Sequence, residues 1–195
     1  MNTEITERQQ EIINVSLELI AESGIQSLTI KNLAKKVGFA ESAIYRHYEN
    51  KIKILLAILD FFKQNTEHFF TNQLNSNENA LVKIDNLFQN HFKKFSASPS
   101  LVSVIFSEEI FRNEVELTEK VKEIMNNNVT ILKTIIETGQ SKGEIRADIN
   151  ASHLSVVIMG SLRMFVKQWH MSNYNFNLTD KGSEFINSIK ILLKN

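Results

Sequence analysis

Residues 29–51, TIKNLAKKVGFAESAIYRHYENK, decide the fold of this 195-residue chain. The first half of the stretch places apolar residues on one helical face, and Gly38 then stands where a sharp corner needs an unusual backbone conformation. In the second half, Ile44 and Tyr48 are four residues apart and share the inward face of another short helix. Two short helices joined by a tight turn form a helix-turn-helix, whose second helix can lie in the major groove of DNA.

The same stretch resembles the reading head of the TetR family of bacterial transcriptional regulators. The resemblance rests on residues at fixed spacing, namely Thr29, Leu33, Ala34, Gly38, Phe39, Ile44, Tyr45, His47, Tyr48, Lys51 and Leu55. Two positions depart from the family pattern, because Ala40 replaces a Ser that can cap the recognition helix and Ile52 replaces an acid. Loss of a cap costs about 1 kcal/mol, and neither change touches the groove-reading face. Beyond this segment the resemblance is only architectural.

The predicted DNA-binding residues follow from both the helix face and the resemblance. They are Thr29, Lys31, Glu41, Ser42, Ala43, Tyr45, Arg46, His47 and Lys51. The resemblance implies that Tyr45, His47 and Lys51 reach phosphates, whereas Arg46 can grip a guanine or a phosphate in bidentate fashion. Two alternatives stay open: Tyr45 can pack against the first helix, and Glu41 can favour a helix N-terminus instead of accepting from cytosine.

The distribution of charge says more than its total. The formal net charge is zero, which by itself argues against a nucleic-acid binder. Residues 28–53, however, carry six basic and two acidic side chains, a net charge of +4, while residues 1–27 carry one basic and five acidic side chains, a net charge of −4. A basic stripe on a short motif is what phosphate contacts require. The alternative is an ordinary solvated helix face.

Hydrophobic periodicity predicts an all-α chain of about nine helices. An N-terminal three-helix DNA-binding domain is expected at residues 1–50, and a long fourth helix joins it to a helical ligand-binding and dimerisation domain at residues 51–195. Helices are expected at residues 4–23, 51–74, 80–96, 101–111, 114–142, 151–171 and from 179 onward, with a break at 75–79.

Caps and glycines support these boundaries. Asn50, Asn150 and Thr179 are the expected N-caps of the fourth, eighth and last helices. Gly139 and Gly143 are both expected at a helix end and not in a packing motif, because their neighbours are polar.

Phe- and Met-rich stripes on the middle helices point to a pocket for a mostly apolar small molecule or lipid-like chain. The predicted lining is Phe62, Phe88, His91, Phe92, Phe106, Met125, Asn128, Met159, Arg163 and Trp169. The three polar members need partners if buried, and a ligand is one possible partner. Arg163 would suit an anionic head group. The alternative for the apolar members is core packing, and for the polar members a satisfied core network or a dimer contact.

The last two helices carry more apolar surface than one partner face would cover, which indicates a second subunit. The predicted interface is Leu154, Ile158, Leu162, Phe165, Phe185, Ile189 and Leu192. The resemblance implies the same arrangement, since the family's last two helices pair with their copies in a two-fold four-helix interface. Two-fold symmetry also suits an operator with two half-sites.

Several classes of protein are not expected. The chain has no cysteine, which excludes disulfides and thiolate metal sites. No apolar run approaches the roughly 20 residues that span a bilayer, and the polar N-terminus lacks a signal-peptide core, so a cytoplasmic location is expected. The five histidines show no metal-site spacing and no Ser lies in a nucleophile elbow. We therefore expect no catalytic residue, metal or cofactor.

Together these features predict a ligand-responsive, homodimeric DNA-binding repressor. Its expected partners are a palindromic double-stranded operator and a small, mostly apolar effector; repression instead of activation is implied by the resemblance alone. The alternative is a helical dimerisation or adaptor protein that has kept the motif without binding DNA. Salt separates the two, because specific DNA binding weakens steeply as salt rises and hydrophobic helix pairing does not.

Overall fold

The computed structural model describes residues 5–106 and 114–194, and within these ranges it contains nine α-helices and no strand. The helices are α1 Glu7–Ser23, α2 Ile30–Val37, α3 Glu41–Tyr45, α4 Lys51–Asn75, α5 Ala80–Ala97, α6 Ser100–Ile105, α7 Val115–Ser141, α8 Ala151–Met171 and α9 Leu178–Leu193. A single 3₁₀ turn, Ile25–Ser27, connects α1 to α2. The predicted all-α fold is confirmed. No helix in the described ranges is both long enough and apolar enough to span a membrane.

The chain forms two compact units that are not contiguous in sequence. The first unit comprises residues 1–62 and 98–121, and the second comprises residues 63–97 and 122–195. The sequence placed a boundary at residue 50, whereas the first turns of α4 belong to the first unit and bury Ile54, Leu55, Ile58 and Leu59. A boundary inside a continuous helix leaves no break in composition, so the sequence pattern does not reveal it.

In the first unit, α1 packs against α2 and α6. Thr6 begins α1 with a capping box, in which its hydroxyl accepts from Gln9 N and the Gln9 side chain accepts from Thr6 N. The predicted start at Glu4 lies outside the described residues. On the inner face of α1, Ser16 is buried and donates to the Ile12 carbonyl at 2.7 Å, while Leu17 is half-buried.

α6 is shorter than expected within the described chain. Pro99 precedes its first residue, and the helix ends at Ile105. The remainder of the predicted helix, including Phe111, lies outside the described residues. The buried side chains of α6 are Ser100, Leu101, Val102, Val104 and Ile105.

In the second unit, α5 packs along α9. The approach is close at Gly182, where an added Cβ would lie 2.3 Å from the ring of Phe92. Gly139 serves a similar purpose, since a Cβ there would lie 2.6 Å from the Cβ of Ala80. The expectation that Gly139 marks a helix end is therefore wrong, because it lies inside α7 and lets α5 approach. Gly143, with φ of +72°, follows the end of α7 as expected.

The expected caps are confirmed with one exception. Asn50 Oδ1 accepts from Lys53 N at 3.1 Å, and Asn150 Oδ1 accepts from Ser152 N at 2.8 Å. Thr179, however, lies in the first turn of α9, and Asn177 is the cap, accepting from the backbone N–H of Thr179 and of Asp180. The two candidates are two residues apart, and only the backbone conformation decides between them.

Candidate DNA-binding surface and effector region

The helix-turn-helix begins at a capped helix and turns at a glycine. Thr29 Oγ1 accepts from Asn32 N at 3.1 Å and so caps α2. Leu33 and Ala34 are buried, which fixes the face that α2 turns inward. Gly38 adopts φ +82° and ψ +29°, the left-handed conformation that ends α2, and its N–H donates to the Ala34 carbonyl at 3.0 Å.

The short helix α3 has one buried and one exposed face. Ile44 is fully buried and Tyr48, just beyond the helix, is 7% exposed. Burial raises the pKa of Tyr48 to about 12, so this phenol stays neutral at physiological pH. Ala40 provides no side-chain cap to α3, because an alanine side chain has no hydrogen-bonding group. Because Ile44 and Tyr48 are buried, the opposite face of α3 is held in solvent.

The predicted DNA-binding side chains all lie at the surface of the first unit. Seven are exposed, namely Thr29, Lys31, Glu41, Ser42, Tyr45, Arg46 and Lys51, and two are half-buried, namely Ala43 and His47. Tyr45 is 52% exposed, so packing against α1 does not account for it. A continuous exposed face on and around α3 is the geometry that groove insertion needs.

Part of the basic stripe is neutralised by acids from elsewhere in the first unit. Lys36 Nζ lies 2.6 Å from a carboxylate oxygen of Glu22 on α1, and Lys53 Nζ lies 2.7 Å from Glu116 on α7. Within the described part of the chain, no ion pair engages Lys31, Lys35, Arg46 or Lys51. These four side chains therefore remain available to phosphates.

Arg8 on α1 also supports the turn. Its guanidinium lies 4.3 Å from the centroid of the Phe39 ring, and it forms an ion pair with Glu11. The acidic helix α1 thus braces the motif from behind through both a cation–π contact and the Lys36–Glu22 ion pair.

The predicted effector residues fall into both units, and their burial differs. Phe62 and Phe106 belong to the first unit, where Phe62 is buried and Phe106 half-buried. In the second unit the buried members are Phe88, His91, Phe92, Asn128 and Trp169, and the half-buried members are Met159 and Arg163. Met125 is 43% exposed on α7. Its side chain is therefore partly open to solvent, and its role in lining a pocket stays a prediction.

Two aromatic clusters organise the second unit. In one, Phe92 contacts Phe88 and Phe165 at ring-centroid distances of 5.9 and 5.7 Å, and Phe165 stacks on Phe185 at 4.5 Å. This cluster joins α5, α8 and α9. Phe88 and Phe92 were predicted as pocket residues and Phe165 and Phe185 as interface residues, yet the four form one packed group.

The second cluster surrounds His91. Its ring lies 5.4 Å from that of Phe70 and 5.8 Å from that of Phe95, and its Nδ1 donates to the Leu87 carbonyl at 3.0 Å. Burial lowers the pKa of His91 to about 4, with Lys94 adding a smaller lowering effect against the raising effect of the Leu87 hydrogen bond. His91 is therefore neutral at physiological pH.

Two polar residues of this region were missed by the sequence analysis. Thr66 on α4 is 2% exposed and Lys94 on α5 is half-buried. The signal was present in the periodicity, since Phe62, Thr66 and Phe70 are each four residues apart. Phe70 is 1% exposed, so it shares the buried face of α4 with Phe62 and Thr66.

The predicted dimer residues are largely internal to the single chain. Leu154, Ile158, Leu162 and Ile189 are between 1% and 6% exposed, Phe165 and Phe185 are half-buried, and Leu192 is 62% exposed. The four buried leucine and isoleucine side chains are thus not available to a partner, because they pack inside their own unit. The exposed apolar side chains of α8 and α9 are instead Val156, Val157, Met164, Met171, Ile191 and Leu192.

Comparison with known proteins gives matches over nearly the whole chain. A family model described as "Bacterial regulatory proteins, tetR family" matches residues 12–58, and one described as "YsiA-like protein, C-terminal region" matches residues 61–192. The "Fatty acid metabolism regulator protein" of Bacillus subtilis (strain 168) is 25% identical over 174 residues, which cover 88% of each chain.

Solved structures share the fold. The fatty acid degradation regulator FadR from Bacillus halodurans superposes with a TM-score of 0.83 at 22% identity and covers 95% of each chain. The transcriptional regulator FadR from Bacillus subtilis, in complex with stearoyl-CoA, superposes with a TM-score of 0.78 at 24% identity and covers 94% of this chain and 96% of the other. At these identities the likeness shows the all-α architecture.

Proposed function

Because this chain belongs to the TetR family of bacterial regulatory proteins, we propose that it represses transcription by binding a palindromic operator as a homodimer. In this proposal an effector with a long apolar chain binds the second unit and releases the operator. In this proposal the chain acts in the cytoplasm, and the alternative is an adaptor protein whose motif does not bind DNA.

The exposed face of α3 carries the proposal. Ile44 and Tyr48 are buried behind the helix while Ser42, Tyr45 and Arg46 stand in solvent in front of it. Tyr45 is the last residue of this five-residue helix and Arg46 is its C-cap, and both side chains are exposed. Arg46 can bind guanine O6 and N7 or a phosphate, and Tyr45 can donate to a phosphate oxygen.

Phosphate contacts would come from the rim of this face. Thr29 and Lys51 lie at the N-termini of α2 and α4, where backbone N–H groups and the helix dipole favour an anion. Lys31 and His47 complete the set. Four basic side chains free of ion pairs within the described residues supply the charge that an otherwise neutral protein needs for this contact.

The proposed dimer face consists of exposed apolar residues on α8 and α9. Val156, Val157 and Met164 line one open groove with Gly160, Phe165 and Phe185, and Leu192 is 62% exposed on α9. Large exposed apolar patches on the surface of a protein mark interaction sites. A two-fold pairing there would set two copies of α3 for two half-sites.

The proposed effector is an acyl compound. A relative with 25% identity is named a fatty acid metabolism regulator, and a protein of the same fold has been solved with stearoyl-CoA. The aromatic residues of the second unit agree with a long apolar ligand. Binding would act as a population shift, so that the effector releases DNA only to the extent that it prefers the non-binding state.

Fluorescence anisotropy with duplexes that tile the DNA upstream of the gene tests the DNA part of this proposal, with a shuffled duplex as the control. Tight binding confined to one palindromic segment, and weakening steeply between about 50 and 200 mM salt, is expected. Equal affinity for the shuffled duplex, or binding that does not respond to salt, would favour the adaptor alternative.

A further inference from the structure

Two buried polar atoms of the second unit have no hydrogen-bond partner among the described residues. They are the hydroxyl oxygen of Thr66 on α4 and the ammonium nitrogen of Lys94 on α5. The Thr66 side chain is 98% buried, since its exposed fraction is 2%. An unsatisfied buried hydroxyl or ammonium costs free energy, so each such group in a native fold calls for an explanation.

Three contacts between α4 and α5 define the register of these two helices, and that register places Thr66 and Lys94 at a similar height along the pair. Lys83 Nζ donates to the Leu74 carbonyl, Asn86 Nδ2 donates to Gln73 Oε1, and the rings of Phe70 and His91 are 5.4 Å apart. Each pair lies further back along α4 and further forward along α5, so the two helices run antiparallel.

At the next level, one helical turn further along this antiparallel pair, the register places Thr66 on α4 and Lys94 on α5. Thr66 is one turn before Phe70 on the same face of α4, and Lys94 is one turn beyond His91 on the same face of α5. The level is flanked by the aromatic rings of Phe70, His91 and Phe95, which contact one another in series.

No carboxylate of the described chain lies within ion-pair distance of Lys94. Three acids of the second unit pair with other lysines: Glu67 and Glu123 pair with Lys63, and Asp85 pairs with Lys190 at 2.6 Å. His91 is neutral and is no counter-ion. Burial lowers the pKa of Lys94 below its ordinary value, as is typical of an ammonium group that lacks a counter-ion.

We propose that Lys94 Nζ and Thr66 Oγ1 together bind an anionic oxygen of the effector, a carboxylate or a phosphate oxygen, while its apolar chain packs against the neighbouring aromatic rings. The inference rests on the proposed function in that the ligand is the effector. An ammonium group and a hydroxyl supply up to four donors and suit one oxyanion. A ligand of this kind would satisfy both orphaned groups at once.

Isothermal titration calorimetry with four probes of the same chain length tests this site: dodecanoate, dodecyl phosphate, dodecanoyl-CoA and the neutral dodecanol. The variants are Lys94→Met, which keeps the stem and removes the charge, and Thr66→Val, which keeps the shape and removes the hydroxyl. Lys93→Met, an exposed neighbour on α5, is the matched control.

Lys94→Met is expected to weaken binding of at least one anionic probe about 10- to 100-fold, and Thr66→Val by a smaller factor, with dodecanol unaffected. Loss confined to dodecanoate identifies a carboxylate, and loss confined to the phosphate-bearing probes identifies a phosphate. Lys93→Met should bind all four probes as the wild type does. Unchanged affinity in Lys94→Met, equal loss for dodecanol, or no binding of any anionic probe to the wild type would overturn the proposal.

Thermal unfolding without ligand gives a second readout. Because both variants remove an unpaired buried polar group, Lys94→Met is expected to raise the melting temperature by about 2–4 °C, and Thr66→Val to leave it equal or higher. A fall in Lys94→Met would show that Lys94 has a structural partner and would contradict the proposal.

Failure of this inference and failure of the proposed function have different signatures. Anionic probes that bind through Lys94 to a protein without operator affinity would refute the repressor and leave the site standing. Operator-specific binding together with wild-type probe affinity in Lys94→Met would refute the site alone.

Discussion

The helix-turn-helix and the second unit, the helical body of the protein, obey different constraints. In the former, single positions are dictated by backbone geometry: Thr29 must cap, Gly38 must adopt a positive φ, and Ile44 and Tyr48 must face inward. In the body, Phe88, Phe92, Phe165 and Phe185 fill one cluster by mutual packing, and many other apolar sets would do the same. A site fixed by backbone geometry has a sequence signature, and a site fixed by packing has almost none.

The first prediction concerns the tightest packing in the body. Gly182→Ala places a Cβ 2.3 Å from the Phe92 ring and is expected to destabilise the protein by about 3 kcal/mol, since a rigid ring on a core helix has little room to move. Chemical denaturation measures the loss. Adding Phe92→Leu to Gly182→Ala should recover part of it, and an unchanged midpoint in the single variant would show that α5 and α9 are not packed this closely.

The second prediction concerns His91 and the pH dependence of stability. The folded protein holds the pKa of His91 at about 4, while the unfolded chain has the ordinary value of about 6.5. Between these values the unfolded state binds a proton that the folded state does not, so stability falls as pH drops from 6.5 to 4, by up to about 3 kcal/mol.

Denaturation curves measured from pH 7 to pH 4 test this expectation, with His91→Gln as the comparison. That variant should lose most of the slope and retain a smaller part from His170, whose pKa is also lowered by burial. An identical slope in the variant would show that the loss of stability does not come from His91.

The third prediction concerns the exposed face of α3. Arg46→Ala is expected to weaken operator binding by about 1–3 kcal/mol and to relax the preference at one base pair if Arg46 reads a base. Lys31→Ala is the matched control, because losing a phosphate contact weakens binding to all sequences alike and lowers the salt slope by about one. Wild-type affinity in Arg46→Ala, measured by anisotropy, would remove Arg46 from the interface.

The smallest expected effect is a gain of stability at the missing cap. Ala40 has extended backbone angles, φ −72° and ψ +147°, and gives α3 no side-chain hydrogen bond. Ala40→Ser is therefore expected to stabilise the protein by about 0.5–1 kcal/mol without changing the operator preference. A melting temperature no higher than that of the wild type would indicate that the first turn of α3 is already satisfied.

The fold was predictable because helices leave strong local signals. The caps Asn50 and Asn150, the break after Asn75 and the buried face of α3 all follow from spacing and residue type. The cap of α9 is Asn177 and not the predicted Thr179. The sequence could not decide between them, because both residue types cap well and they lie two positions apart.

The packing partners were less predictable, because they come from distant parts of the chain. Gly139 was assigned to a helix end, yet it faces Ala80, which is 59 positions away. The predicted dimer residues Leu154, Ile158, Leu162 and Ile189 lie on apolar stripes as expected, but a stripe alone does not say whether its partner is the same chain or another. The periodicity could have placed Thr66 on a buried face, but only the packed structure shows that Thr66 and Lys94 lack a hydrogen-bond partner.

In the proposed function, an acyl ligand bound to the second unit releases DNA from the helix-turn-helix. The most direct test is to form the complex of the protein with its operator duplex and to titrate it with stearoyl-CoA, following fluorescence anisotropy at physiological salt. We expect the anisotropy to fall in a saturable way to the value of free DNA, and we expect stearyl alcohol not to cause this fall. An anisotropy that stays at the value of bound DNA would contradict it. Calorimetry would then show whether stearoyl-CoA fails to bind the protein or binds without releasing the DNA.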